Sequence, residues 1–388
     1  MMSLSSLLYL SAGTMPSPVA NEIQTVKMAQ ALTTQVDHFE LILSGNLRSL
    51  LGLEPDFNQR FQDWYGITTP FKITRIPALT WRTPFPFPPG AYSPRKYLRW
   101  AVGYCRRQNP TVVYTRTPYL VKPLLAAGLS VVLEFHEPLT PQAATWFQQR
   151  QFLGIVTLAP ELRSQYQTLG LEPDRVYIAP SGVDLEPFQN PISLLEARQR
   201  LSLPPHQPIA LYAGSLYDHK GIPTILAAAA QLPDCQFILV GGQGNEVERV
   251  RSQARQQGLT NLHLIGYQTQ GKIPLYLWAA DLLLLPTSSQ WFLASTTSPL
   301  KLFEYMAAQR PIIASDLPNI ATVLRDGENG CLIPPDNPTA LAAAIEKILV
   351  NPDHGQAMAI QAAEDVQNYR WQRRAEGILA FIEGQLTL

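Results

Sequence analysis

Cysteine is scarce: Cys105, Cys235 and Cys331 are the only three in the chain, isolated and odd in number. That pattern excludes a disulfide framework and a zinc ribbon, and it suits a reducing cytoplasm. Net charge is lacking too. Thirty basic residues balance thirty acidic ones, so no global field would hold the chain on nucleic acid or on an anionic membrane, and such binding must come from a local patch. Long apolar runs are missing. The nearest to one, around Leu282 to Leu285, is closed by Asp281 and Pro286, far short of the ~18 residues of a membrane span. The N-terminal MMSLSSLLYLSAG is apolar, but it has no basic region and its Leu-Leu-Tyr-Leu core is too short for a secretion signal. It reads as a first buried strand.

Several chemical signatures are also absent. No Asp-x-Asp occurs, which removes the carboxylates that would hold a metal against a leaving diphosphate. The six histidines show no metal spacing, and there is neither a Walker pattern nor a Gly-x-Ser-x-Gly elbow.

What remains is a globular chain of 388 residues, 46% hydrophobic and 15% charged, with 34 prolines and 23 glycines. Its length suits two domains of ~150 to 200 residues. From Ile209 onward short apolar runs (IALY, FILV, LHLI, LLLL, PIIAS) alternate with helical patterns. Such runs mean strands buried on both faces of a parallel sheet. The first half repeats this grammar with SLLYLS, FELILS, FKITRI, TVVYT, SVVLEF and GIVTLA. The expected fold class is α/β, with doubly wound domains at about residues 1–187 and 188–369. The proline-bearing stretch from Leu185 to Pro208 reads as the linker. Ligands of this architecture bind beyond the carboxyl ends of the strands, in a cleft between the domains.

The richest segment is STTSPLKLFEYMAAQRPIIAS, residues 295 to 315. Ser298 before Pro299 is a good helix start, with a hydroxyl for the free amides and a proline where no N–H is needed. Lys301 then falls in the first turn, where a cation is disfavoured by ~0.3 to 1 kcal/mol. An anion would compensate it: a phosphate on the amides of Ser298 and Leu300, with Lys301 beside it and Glu304 reaching an attached ribose. The plainer alternative is a solvent-exposed Lys301–Glu304 pair at i, i+3. Lys220 follows a strand and a turn at Gly214, and is either a phosphate ligand or a solvated loop lysine. His136 closes the strand Val131 to Phe135, where it donates into a cleft or satisfies a nearby carbonyl. VGGQGNE, with Gly241, Gly242 and Gly244, falls short of the GxGxxG fingerprint, and no acidic residue ends the next strand.

SPLKLFEYMAAQRPIIASD resembles the donor-nucleotide helix of family-four retaining glycosyltransferases, which have the GT-B fold of two facing Rossmann-like domains. In the same order, SAGTMPSPVANEIQTVKMAQAL resembles the family's first loop and helix, LEFHEP its strand and histidine, and APSGVDLEPF its Gly-Val-Asp segment. YAGSLYDHKGI resembles the lysine loop and VGGQGNE the glycine loop of the second domain. The resemblance implies that Lys220 meets the donor diphosphate, that His136 lies at the sugar and reaction centre, with a general-base role not implied, and that Glu304 holds the ribose. It implies donor contacts at Gly214, Ser215, Gly242, Thr296, Thr297, Ser298, Leu300 and Lys301, and an acceptor or phosphate loop around Gly13 and Asn21. A C-terminal helix, about 370–388, is expected to pack back on the first domain. The sequence departs from the family at two places. Ser215 stands where many members carry an arginine, so Lys301 is expected to share that role; Thr296 stands where the family has a glutamate on the transferred sugar.

The stretch WRTPFPFPPGAYSPRKYLRW, residues 81 to 100, mixes aromatic and basic residues ahead of Arg106 and Arg107. It suits a peripheral membrane contact at the inner face, an acceptor, or simply a proline-rich cover on the core. The expected activity is transfer of a hexose-type sugar from a UDP- or GDP-linked donor to a saccharide, lipid or small-molecule acceptor, with retention and with neither cofactor nor metal. A GT-B sugar-nucleotide epimerase and an inactive nucleotide-binding scaffold stay as alternatives. No nucleic-acid partner is expected.

Overall fold

The computed structural model describes residues 4–13, 15–17, 19–45, 54–77 and 94–387. The aromatic-basic stretch at 81–93 lies outside the described residues. Contacts divide the chain into two units, one of residues up to Pro180 together with those from Trp371 onward, the other from Ser181 to Arg370.

The first unit is built on seven parallel strands: β1 (Ser6–Leu10), β2 (His38–Gly45), β3 (Lys72–Pro77), β4 (Val112–Thr115), β5 (Val131–Glu134), β6 (Phe152–Thr157) and β7 (Val176–Ile178), in the order β3-β2-β1-β4-β5-β6-β7. Its helices include α1 (Ala20–Thr33), which follows β1, and α2 (Pro94–Gln108), which follows β3. The second unit has six parallel strands: β8 (Ile209–Ala213), β9 (Gln236–Val240), β10 (Leu262–Gly266), β11 (Leu282–Leu285), β12 (Ile312–Ser315) and β13 (Cys331–Ile333), in the order β10-β9-β8-β11-β12-β13. Both sheets are doubly wound, as the alternation of apolar runs and helices predicts.

Alternation along the strands explains why these runs are apolar throughout. Ile209, Leu211, Leu283 and Leu285 enter one core cluster of the second unit, while Ala210, Tyr212, Leu282 and Leu284 enter another. Each leucine or isoleucine buried in this way contributes about 1.5–3 kcal/mol, so a polar residue on either face would be costly.

The expected linker is not one. Within Leu185 to Pro208 lies α3 (Leu194–Arg200), started by Ser193, whose Oγ accepts from the Glu196 amide at 3.2 Å. Arg198 on this helix is buried, donating to the Ala279 carbonyl at 2.9 Å and to Asp281 Oδ2 at 2.6 Å. The same carboxylate oxygen accepts the Ile209 amide at 2.6 Å, so the segment is tied into the start of β8. The second unit begins earlier than 188, because Val183 already donates its amide to the Tyr369 carbonyl at 2.9 Å.

Three further helices shape the second unit: α4 (Ile222–Gln231), α5 (Gly244–Gln256) and α6 (Leu300–Ala307). The last, α7 (Trp371–Thr387), belongs to the first unit and packs on α1. Among the described residues no helix is long and apolar enough to cross a membrane.

Candidate functional site

In the second sheet the strand order reverses between β8 and β11, and the loops leaving those two strands meet beyond their carboxyl ends. This switch point is where doubly wound sheets bind ligands. Gly214 leaves β8 with φ +144, and a Cβ there would collide with the Lys301 ammonium. Gly221, at φ +84, has no room for a Cβ beside the Pro286 carbonyl that follows β11. The Ser288 amide also donates to the His219 carbonyl at 3.1 Å. Glycine is therefore required where the two loops close on each other.

Lys301 is the central finding of this site. Its ammonium nitrogen is shielded from solvent and has no hydrogen-bond partner. It lies 3.8 Å from the ring centre of Tyr212, whose hydroxyl donates to the Ser215 carbonyl at 2.7 Å. The solvent-exposed Lys301–Glu304 pair is thus ruled out as a description of this side chain. Burial, with the nearby positive charge of Lys220, holds Lys301 well below the usual lysine range, although Glu304 pulls the other way. Lys220 ends a short turn over Asp218–Lys220, with its Nζ 4.0 Å from the centre of the Trp291 ring. Burial lowers its pKa to about 8. A concavity of about 360 Å³ opens beside these loops, lined in part by His219, Thr224, Ser288, Trp291 and Asp336.

The other expected donor residues have partners of their own. Ser298 does not cap α6: the cap position is Pro299, and Ser298 Oγ accepts the Ser181 amide at 2.9 Å while its carbonyl accepts the Ser181 hydroxyl at 2.8 Å. Leu300 opens the helix and Glu304 lies one turn on, half-buried. Thr296 is buried, with its hydroxyl directed to the Leu293 carbonyl at 3.4 Å, and the Thr297 carbonyl accepts from Asn319 at 2.5 Å. Gly242 packs against the Leu216 side chain.

The first unit holds a second constellation. His136 Nδ1 accepts from Arg116 Nη2 at 2.9 Å, since a guanidinium has no acceptor. Its Nε2–H therefore donates to Glu134 Oε1, also at 2.9 Å. Both ring nitrogens are engaged, and the ring neither points a free donor outward nor serves a backbone carbonyl. Burial and Arg116 lower its pKa to about 4, so it is neutral at pH 7.

Glu134, buried at the end of β5, is the hub that the sequence reading missed. It accepts from Gln24 at 3.0 Å, from the Tyr114 hydroxyl, and from Arg374 of α7 at 2.9 Å. Burial raises the carboxyl, but Arg374 and then Arg116 outweigh that and hold it well below the usual range. The Gly13 carbonyl accepts from Ser44 at 3.0 Å, and a Cβ at Gly13 would come within 2.6 Å of Glu22 Oε1. Asn21 is exposed and gives its carbonyl to Arg116 at 2.9 Å.

Residues 176–365, nearly the whole second unit, match the family model for glycosyl transferases group 1. The second domain is a member of that family. The chain is 28% identical over 240 residues to a D-inositol 3-phosphate glycosyltransferase of Acidothermus cellulolyticus, covering 58% of this chain and 52% of that protein. It is 25% identical over 300 residues to an alpha-D-kanosaminyltransferase of Streptomyces kanamyceticus, covering 69% and 74%. The chain spans about half the length of the first curated relatives it matches.

Among solved structures, Anabaena HepE in complex with UDP superposes with a TM-score of 0.74 at 16% identity, over 98% of this chain and 100% of that one. Sucrose-phosphate synthase from Thermosynechococcus elongatus gives 0.72 at 20% identity, over 99% and 98%. Identities this low speak for the fold alone, and the fold is GT-B.

Proposed function

We propose that the protein is a retaining glycosyltransferase that moves a hexose-type sugar from a nucleoside diphosphate donor to an acceptor without a metal ion. The observation that carries this reading is the Lys301 ammonium, buried without a partner against Gly214 and one residue from Ser215. A buried cation without an anion costs several kcal/mol, and a diphosphate is the ligand that removes the cost. Lys220 and the first amides of α6 supply the rest of the anion cradle. As the sugar leaves, these fixed positive groups stabilise the charge that grows on the diphosphate, the role a metal takes elsewhere. Glu304 is the acceptor for ribose hydroxyls, and Gly214, Ser215, Gly242, Thr297 and Leu300 give backbone contacts. Thr296 and Ser298 shape the loop rather than offer hydroxyls. In the first domain, neutral His136 and the Gly13–Asn21 loop are assigned to positioning, with no general base among them. The complexes of Anabaena HepE with UDP and UDP-glucose support a nucleotide-sugar donor here, UDP- or GDP-linked.

The test is incubation with UDP-glucose and GDP-mannose in excess EDTA, followed by anomer-resolved NMR. Slow release of free sugar with retained configuration is expected. Restoration of activity by magnesium after loss in chelator would overturn the metal-free scheme. Conversion of one nucleotide sugar into another would replace transfer by epimerisation, and no turnover of any donor would leave only a binding scaffold.

A pH effect follows from Lys220, whose pKa of about 8 lies far below an ordinary lysine. A bound diphosphate favours the charged form, so binding above pH 8 takes up a proton and affinity falls as the pH rises from 7 to 9. Calorimetry at pH 8.5 in buffers of different ionisation heat reads the uptake directly. Buffer-independent heats would remove Lys220 from the anion's surroundings.

A further inference from the structure

Lys220 makes no ion pair among the described residues, although burial disfavours its charge. Its neighbour in space is an indole. Trp291 lies in the loop between β11 and α6, and the Lys220 ammonium sits 4.0 Å from its ring centre. The indole is itself held from several sides. The His219 ring stacks on it at 4.6 Å with 28° between planes, and Tyr217 stacks on His219 at 5.4 Å and 14°. The Ser288–His219 backbone bond fastens the same two loops. Trp291 therefore has a fixed place at the switch point, and it fixes where the ammonium of the neighbouring loop goes.

We propose that Trp291 is a positioning residue of the diphosphate site, holding the Lys220 ammonium on its ring face so that no carboxylate competes with the incoming anion. The inference rests on the assignment of Lys220 to the diphosphate. A carboxylate partner would anchor the lysine more strongly, but it would neutralise the cation and be left as an unpaired buried anion when a phosphate arrived. An aromatic face attracts the ammonium by its quadrupole, adds no net charge and leaves the cation positive toward a second ligand. Lys301 on the Tyr212 ring repeats the device at the neighbouring position. The site thus presents buried cations oriented by rings, a pattern with no signature in residue spacing.

The experiment titrates UDP and UMP into wild type, Trp291→Phe, Trp291→Leu and Lys220→Ala by calorimetry, with GDP titrated into wild type as well. Losing the ring should weaken UDP about 3- to 30-fold in Trp291→Leu, within the range of a desolvated cation–ring contact. UMP, which has no second phosphate for Lys220, should change less than about twofold, and Trp291→Phe should keep most of the UDP affinity. Equal losses of UDP and UMP in Trp291→Leu, or loss in Trp291→Phe as deep as in Trp291→Leu, would reduce Trp291 to loop packing and overturn the proposal. An unchanged UDP affinity in Trp291→Leu with a weakened Lys220→Ala would sink Trp291 alone. If Lys220→Ala also binds UDP normally, or wild type binds neither UDP nor GDP, the diphosphate assignment falls and the inference with it.

Discussion

Replacing Arg374 by methionine is expected to cost the first domain about 3 to 5 kcal/mol, the range measured when one partner of a buried ion pair is removed. Arg374 is buried on α7, and its Nη2 donates to Glu134 Oε1 at 2.9 Å while its Nε donates to the Pro180 carbonyl at 2.8 Å. Without it, Glu134 stays buried as an anion with Gln24, Tyr114 and His136 as partners, which cannot neutralise its charge. The pH dependence should change with it. In the wild type the Glu134 carboxyl is held well below its usual range, so its contribution to stability is present above about pH 4.5 and is lost at more acid pH, as the pH falls through the folded value. In the variant Arg116 and His136 still favour the carboxylate, but Arg374 no longer offsets burial and the carboxyl rises. The folded state then binds the proton more readily, so the loss relative to wild type is largest at high pH and shrinks as the pH falls. The double variant Arg374→Met with Glu134→Gln should recover much of the loss. Denaturant unfolding from about pH 3 to 8 checks all three. A loss below about 1 kcal/mol would place the pair among the weak surface type.

Lys301→Met should move stability and binding in opposite directions. A buried, unsatisfied polar group costs about 1 to 3 kcal/mol, and more when charged, so an apolar side chain of similar length should raise the melting temperature of the ligand-free protein. The same change removes a charge-assisted contact worth about 1.5–3 kcal/mol to the diphosphate, a loss of roughly 10- to 150-fold in affinity. Thermal shift with and without UDP reads both effects in one series. A variant less stable than wild type that still binds UDP normally would show that Lys301 serves the fold.

The strand grammar is legible in the sequence because both faces of each sheet are buried, so runs such as Ile209 to Ala213 cannot afford a polar residue. The edge strands β7 and β13 escape that pattern, since each has three residues and only one of them is buried. Lys220, Lys301 and Glu304 are legible as a group because each stands at a fixed offset from a strand end or a helix start. What the spacing cannot show is distance through the fold. Ser298 looks like a helix cap until Ser181, 117 residues away in sequence, claims its hydroxyl. Glu134 looks like a flank of His136 until an arginine 240 residues later pairs with it. Arg198 looks like part of a polar connector until Asp281 and the Ala279 carbonyl take it into the core of the second domain.

The return of α7 to the first domain sets an order on the ribosome. The first sheet is made before the second domain, but the arginine that neutralises Glu134 emerges 240 residues after it. At about 5–20 residues per second, the nascent first domain waits roughly 12 to 48 s with a carboxylate lacking its arginine, exposed to chaperones and proteases. The second domain, continuous from Ser181 to Arg370, has its whole sequence available first. Completion of the first domain therefore follows synthesis of the second, and a chain cut short before Trp371 releases a first domain lacking both this helix and the arginine that pairs with Glu134.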